Sequence, residues 1–171
     1  DHYDRYLFDF YVHGLGPGLS NSPTQNPYLE FIAPLSLSSA PLYHSVLSWS
    51  AHELAFRNPN DQSCRRASVQ HKVKALQGLQ EEIRLSQSTS APCVDTLTSV
   101  LSTMIILSCQ EIVETCSSAW IAHLRAARML CSLLFTSCAS FSDSFRRFCV
   151  MWFVSHEIMS RTAWIQETLF E

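Results

Sequence analysis

Residues 26–54 constrain the fold more than any other stretch, because they hold two apolar segments divided by a proline turn. Asn26 and Pro27 are good residues for starting a helix. Pro34 must end or kink that helix, since its ring collides with the carbonyl four residues back. Pro41 then opens a second helix. Nearly every side chain in the stretch serves packing, and none belongs to a recognisable catalytic set. The pattern favours a helical module over an enzyme.

The composition fits one packed helical domain. A chain of 171 residues with 47% hydrophobic content can bury a full core. Four glycines are few for a chain rich in turns or sheet. Only 16% of the residues are charged, against about a quarter in an ordinary domain. We therefore expect a partner, or other parts of a longer protein, to cover some of the surface. A bare serine-rich surface is the alternative.

Charge and cysteine content exclude several classes of protein. The net charge of −3 argues against DNA binding by this segment, because nucleic-acid-binding domains carry a basic face. Seven cysteines without a Cys-x-x-Cys pair argue against a secreted disulfide framework. We therefore expect free thiols in a reducing compartment, the cytosol or nucleus. No membrane span is predicted, since the longest strongly apolar run, residues 148–154, is too short to cross a bilayer.

Hydrophobic periodicity predicts an all-α fold, an irregular bundle of about seven helices around the apolar helix at residues 93–115. That helix is apolar almost all round, which is typical of a helix in the centre of a bundle. Residues 1–171 are interpreted as a single helical regulatory domain. The chain starts without a methionine and directly in an amphipathic segment. We therefore expect it to be a fragment of a longer protein.

Three helices carry specific expectations. The first, residues 2–13, should end at Gly14. The helix over residues 62–85 should bury its apolar stripe and leave its charged residues, Glu82 among them, in water. That stripe is Val69, Val73, Leu76, Leu79 and Ile83. The last helix should be capped by Ser142, and its residues in register for the core are Phe145, Cys149, Trp152, His156 and Met159.

No motif of catalysis or metal binding stands out. His52-Glu53 and His156-Glu157 each lack the second histidine of a zincin motif. There is no Glu-x-x-His pair for a di-iron bundle and no Gly-x-Ser-x-Gly elbow. The glycines near the N terminus lack the spacing and the preceding strand of a phosphate-binding loop. We therefore expect no enzyme and no cofactor in this segment.

The aromatic residues allow one interpretation that involves a ligand. Pockets in helical bundles are mostly apolar with a few polar anchors. Candidate residues for lining an effector pocket are Trp49, Trp120 and Trp152, with His123 as a polar anchor. The competing interpretation is that these rings are simply core and that the histidines are structural.

Three short motifs occur in a recognisable order. Residues 26–47 begin with Asn-Pro-Tyr-Leu and continue through Pro-Leu-Ser-Leu-Ser-Ser to Leu-x-His-x-Val-Leu. Residues 71–79 read His-Lys-x-x-Ala-Leu-x-x-Leu. Within residues 111–131, Trp120 precedes His-Leu-Arg-Ala-Ala, where Ala126 stands at a position commonly held by glycine. Together they resemble the fungal-specific transcription factor domain, the middle regulatory region of zinc binuclear cluster regulators, over nearly the whole chain.

The resemblance implies a nuclear transcription regulator whose middle region gates a DNA-binding module elsewhere in the chain. It implies that DNA and zinc are bound only by a six-cysteine cluster, whose spacing no cysteines here match. The implied partners are other parts of the same regulator, another protein, a small-molecule effector or a second copy, with no membrane role. The alternative is a helical small-molecule-binding or protein–protein scaffold domain unrelated to transcription.

Overall fold

The computed structural model describes residues 2–22, 24–88, 93–115, 120–121, 123–127 and 142–169. Throughout these ranges the regular structure is helical, without a strand, which confirms the predicted all-α fold. The chain divides into two compact units, Asp1–Leu107 and Ser108–Glu171. The interpretation of residues 1–171 as one domain stays a prediction.

Seven α-helical segments are described. They are α1 (His2–Phe10), α2 (Ala33–Ser36), α3 (Ala40–Arg57), α4 (Gln62–Ser88), α5 (Val94–Thr115), α6 (helical residues 120–121 and 123–127) and α7 (Asp143–Leu169). Two π-helical turns, Tyr11–Leu15 and Tyr28–Ile32, and a 3-10 turn, Gly16–Leu19, connect α1 with α2.

The first helical path continues past Gly14, where the sequence predicted its end. After α1 the backbone widens into the first π turn and then tightens into the 3-10 turn. Asn26 secures this segment, because its Nδ2 donates to the Gly16 carbonyl at 2.9 Å. Its Oδ1 accepts from the Tyr28 N–H at 3.1 Å. Asn26 therefore starts the next helical turn, as predicted, and also fastens the end of the previous one.

Pro34 shifts the helical register rather than stopping the chain. A proline lacks an N–H and crowds the carbonyl four residues earlier. The N–H of Ala33 bonds to the Tyr28 carbonyl, five residues back. The backbone is therefore already in the wider π register where Pro34 enters, and α2 begins with the proline in its first turn.

Helix α3 forms the buried centre of the first unit. Residues 45–51 are buried without a break, and α3 packs against α1, α2 and, most extensively, α4. Several buried positions are serines, whose hydroxyls need hydrogen-bond partners away from water. Ser48 Oγ donates to the Ser68 carbonyl of α4 at 2.9 Å. Ser45 Oγ donates within α3 to the Leu42 carbonyl at 2.8 Å.

Helix α4 turns a different face to α3 than the predicted stripe. Val69 is 64% exposed and Val73 47% exposed, so the predicted burial of these two stripe residues is wrong, whereas Leu79 of the same stripe is buried as predicted. The buried row consists mainly of small or polar residues, namely Cys64, Ala67, Ser68, His71, Ala75 and Leu79. Small side chains let the two helices lie close together. A Cβ added at Gly78 would lie 3.1 Å from the Pro41 Cβ.

Helix α5 is buried from residue 99 to residue 108, in agreement with the predicted apolar central helix. Its segment Val94–Glu114 is also long and apolar enough to cross a bilayer, which the sequence analysis missed. However, 67% of the apolar window is buried inside the structure. A core helix passes the same test of length and composition, so this segment is weak evidence for a membrane span.

Helix α7 is the longest described helix of the second unit. Ser142 Oγ accepts from the Phe145 N–H at 3.2 Å, which confirms the predicted N-cap. Met159 is 49% exposed, so its predicted place in the core is wrong. The buried row includes Ser160, the next residue, instead. Among residues 143–162 the buried positions are Phe145, Cys149, Trp152, Phe153 and Ser160.

Candidate functional site

Three rings meet on α6 and α7 in the second unit. Trp152 and His156 lie one turn apart on α7, which places them on one face of the helix. Their ring centroids are 3.7 Å apart and their planes differ by 15°, a stacked pair. Trp120 of α6 meets His156 edge-on, with centroids 6.2 Å apart and an angle of 81°. We call these three residues the ring cluster.

The tautomer of His156 follows from its hydrogen bond. His156 Nδ1 lies 2.7 Å from the Trp152 carbonyl oxygen. A carbonyl can only accept, so Nδ1 carries the proton and Nε2 of the neutral ring is an acceptor. Burial lowers the pKa of His156, because the charged ring would be desolvated, and the hydrogen bond to the carbonyl opposes this only in part. The neutral ring is therefore favoured around pH 7.

The indole of Trp152 adds a donor beside that acceptor. Trp152 is 5% exposed. Its Nε1 is buried and meets no hydrogen-bond partner among the residues that the structure describes. A buried donor left unpaired costs about 1–3 kcal/mol. The ring cluster thus combines aromatic surface with one unused donor and one ring-nitrogen acceptor.

The other two predicted pocket residues lie on α3 and α6. Trp49 belongs to α3 of the first unit and is 3% exposed, within the core. His123 lies on α6, with its Nε2 3.5 Å from Glu111 Oε2 of α5. The structure therefore brings together Trp120 and Trp152 and places His156 between them. The contact between Trp152 and His156 could be found from the sequence, because residues four positions apart share one face of a helix.

A second polar cluster joins α1, α3 and α4 in the first unit. His44 Nδ1 and His71 Nδ1 are 3.0 Å apart. His71 Nε2 lies 3.5 Å from Asp4 Oδ1. If Nε2 of His71 carries its proton toward the carboxylate, its Nδ1 accepts the proton of His44 Nδ1. We call these three residues the histidine relay.

The histidines of the relay are held neutral. Burial lowers the pKa of His71, with His44 and Lys74 acting in the same direction and Asp4 against it. Burial also lowers the pKa of His44, again reinforced by Lys74. Two cationic imidazoles 3.0 Å apart would also repel each other. Sequence reasoning missed the pair, because no local spacing connects residues 27 positions apart.

Neither the ring cluster nor the histidine relay has the ligand set of a metal site among the described residues. Within the described ranges, no group of three or more His, Cys, Asp or Glu side chains could hold a metal ion. The described cysteines, Cys64, Cys93, Cys109 and Cys149, form no disulfide with one another. Burial raises the pKa of the Cys64 thiol, which lies 3.2 Å from the Tyr3 hydroxyl. That thiol is therefore a weak nucleophile at neutral pH.

The described helices pack closely and carry two polar clusters, the ring cluster and the histidine relay. The family description "fungal specific transcription factor domain" matches residues 6–171. The chain belongs to the fungal specific transcription factor domain family, and the resemblance in its motifs is confirmed. Comparison with curated proteins and with solved structures finds no match to the chain. Family membership indicates a transcription regulator rather than an enzyme.

Proposed function

We propose that the chain is the regulatory and interaction domain of a fungal transcription regulator and gates a DNA-binding module elsewhere in the same protein. The family match over residues 6–171 is the observation that carries the proposal. The same membership supports a nuclear location. The net charge of −3 agrees with DNA and zinc being bound outside this segment.

A network of hydrogen bonds between three helices supports mechanical transmission through such a module. Ser39 caps α3 by accepting from the Leu42 N–H at 3.3 Å. Its hydroxyl lies 2.6 Å from that of Ser99 on α5. Ser99 donates to Glu82 Oε2 of α4 at 2.8 Å. The sequence predicted that Glu82 would lie in water. The structure instead half-buries Glu82 beside Ser99, and this burial raises the pKa of its carboxyl group. Displacing one of these helices would disturb the other two.

The ring cluster is the proposed site for a small-molecule effector. It offers flat apolar surface, the unpaired Trp152 Nε1 donor and the His156 Nε2 acceptor. A planar molecule with one acceptor and one donor on its edge has the complementary chemistry. The other proposed partners are the remaining parts of the regulator, a separate protein or a second copy of the chain.

A reporter assay tests this function. Residues 1–171 are fused to an unrelated DNA-binding domain, and reporter output is compared with that of the DNA-binding domain alone. We expect the fusion to change reporter output at equal protein level, with promoter occupancy measured alongside. Equal output at equal protein level and occupancy would contradict gating. It would favour the alternative of a binding scaffold unrelated to transcription.

A further inference from the structure

The outer face of α4 has the spacing of a coiled-coil seam. Val69, Val73, Leu76, Gln80 and Ile83 follow one another at intervals of four, three, four and three residues. That is the alternation of a and d positions in a heptad repeat. At 1.5 Å per residue this seam is about 21 Å long. We call these five residues the α4 seam.

The packing of its own unit uses the α4 seam only in part. The two valines are exposed, at 64% for Val69 and 47% for Val73, and Gln80 is exposed as well. Leu76 and Ile83 are half-buried. The contact with α3 is made by the row of small residues through Ala75, on another side of the helix. Exposed β-branched valines do not help an isolated helix either. The two exposed valines of the seam therefore have no packing role that the described fold explains.

The residues beside the seam show what kind of helix would fit. Apart from the buried Leu79, the flanking e and g positions on α4 are the exposed Arg65, Gln70, Gln77 and Arg84 and the half-buried Lys72. None of them is acidic, and Arg84 already bonds Glu81 on its own helix at 2.7 Å. Charges at these positions select the partner of a coiled coil. Two copies pairing through the seam would place basic residues against basic or neutral ones, which disfavours a homodimer.

We propose that the α4 seam docks an amphipathic helix of a separate protein with apolar a and d residues and acidic e and g residues. Gln80 stands at an a position, where a polar residue sets register at some expense of stability. The partner helix should therefore carry an amide side chain opposite it. The narrow seam, with no aromatic residue in it, fits a helix better than a membrane surface, which suits wide faces rich in Trp, Phe and Leu.

This proposal rests on the proposed function, since it names a partner for the same regulatory domain. Its test is a binding experiment in solution, whereas gating is tested by the reporter. If one of the two experiments gives a negative result, the other can still be interpreted. Peptide binding without gating would question the function, and gating without peptide binding would remove only this partner.

Two synthetic peptides of four heptads serve as probes. Both carry Leu and Ile at a and d with one Asn at an a position, and they differ only in having Glu or Lys at e and g. We expect the chain of residues 1–171 to bind the Glu peptide about tenfold more tightly than the Lys peptide. Added salt should narrow the difference, because exposed charges are screened. The double variant Arg65→Glu with Lys72→Glu should reverse the preference.

Val73→Asp tests whether the seam itself is the docking surface. It should weaken binding of the Glu peptide about tenfold or more, since it places a charge in the apolar interface. Phe56→Asp is the matched control, because Phe56 at the end of α3 is 76% exposed and lies outside the seam. It should leave binding unchanged. Far-ultraviolet circular dichroism verifies that both variants are folded.

Several results would overturn the proposal. Equal affinity for both peptides would contradict charge complementarity between the seam and an acidic partner helix. Unchanged binding by the Val73→Asp variant would place the contact elsewhere. Binding to vesicles of anionic phospholipid, without binding to either peptide, would indicate a membrane surface. A dimer of the chain that Val73→Asp dissociates would indicate a second copy as the occupant.

Discussion

His71 shows how much of this protein depends on contacts between distant residues. Its ring is 6% exposed and lies between His44 on one side and Asp4 on the other. The sequence placed His71 on a helix within a family motif. It did not indicate that His71 would meet His44, because that meeting depends on how α4 packs against α3.

The histidine relay predicts a pH dependence of stability. Burial lowers the folded-state pKa of His44 and His71, so the unfolded chain binds protons more readily. Their contribution should be complete above the unfolded pKa of about 6.5. It should be lost as pH falls toward the lowered folded values. His156 acts in the same direction, whereas the raised pKa of Glu82 acts in the opposite one.

Urea unfolding of the wild-type chain and of His71→Gln at pH 7.5 and pH 5.5 measures this contribution. We expect a smaller loss of unfolding free energy on acidification in the variant, because one titrating group is gone. The comparison between variants cancels the titration of His156 and Glu82. An identical loss in both chains would show that the relay does not couple to folding.

Trp152 should matter more for stability than Trp120. Trp152 is 5% exposed, and replacing a buried tryptophan by alanine costs about 3–5 kcal/mol through the cavity left behind. Trp120 is only half-buried, so Trp120→Ala should cost less. Val154→Ala, at a position 52% exposed, is the control and should stay within about 0.5 kcal/mol. Chemical denaturation gives all three values. A cost for Trp152→Ala no larger than the control's would mean that the ring is not core.

At the scale of single elements, α4 marks the limit of reading amphipathicity from sequence. Its helical period and its length were predictable, and the valine stripe was the most apolar face available. The face that packs carries small residues instead, because close approach to α3 around Gly78 and Pro41 outweighs the hydrophobicity of valine. The hydrophobic pattern alone does not predict how closely α3 and α4 approach each other. The caps at Asn26 and Ser142 were predictable, since they depend on local backbone chemistry.

The two faces of α4 should respond differently to mutation. Ala75→Leu overfills the contact with α3 and should destabilise by about 1–3 kcal/mol. Val69→Ala on the exposed seam should change stability by no more than about 0.5 kcal/mol. Thermal unfolding of both variants measures this contrast. A larger loss of stability for Val69→Ala than for Ala75→Leu would mean that the predicted stripe, and not the row of small residues, is the packing face.

Ser39 should be important as the junction of three helices. Ser39→Ala removes the N-cap of α3 and a partner of the Ser99 hydroxyl, so we expect a loss of about 1–2 kcal/mol. Ser38→Ala, next to it but exposed, is the matched control. Equal melting temperatures for the two variants would count against the network.

At the scale of the whole molecule, the all-α class and the family were readable from the sequence, whereas the candidate site was readable only in part. Motif order survives in the linear chain, so it identified the family over residues 6–171. The pocket prediction joined Trp49 to Trp120 and Trp152. Trp120 and Trp152 each meet His156, whereas Trp49 is buried in α3 of the first unit. Ring identity alone does not reveal which rings meet, because that depends on the packing of helices far apart in sequence.

A regulatory module of this kind should change its output through its contact surfaces, without loss of folding. The decisive measurement is reporter output from the fused chain set against melting temperature for Val73→Asp and Phe56→Asp. We predict that Val73→Asp changes output at an unchanged melting temperature, while Phe56→Asp changes neither. Output that follows melting temperature alone, or that responds to neither variant, would contradict this account.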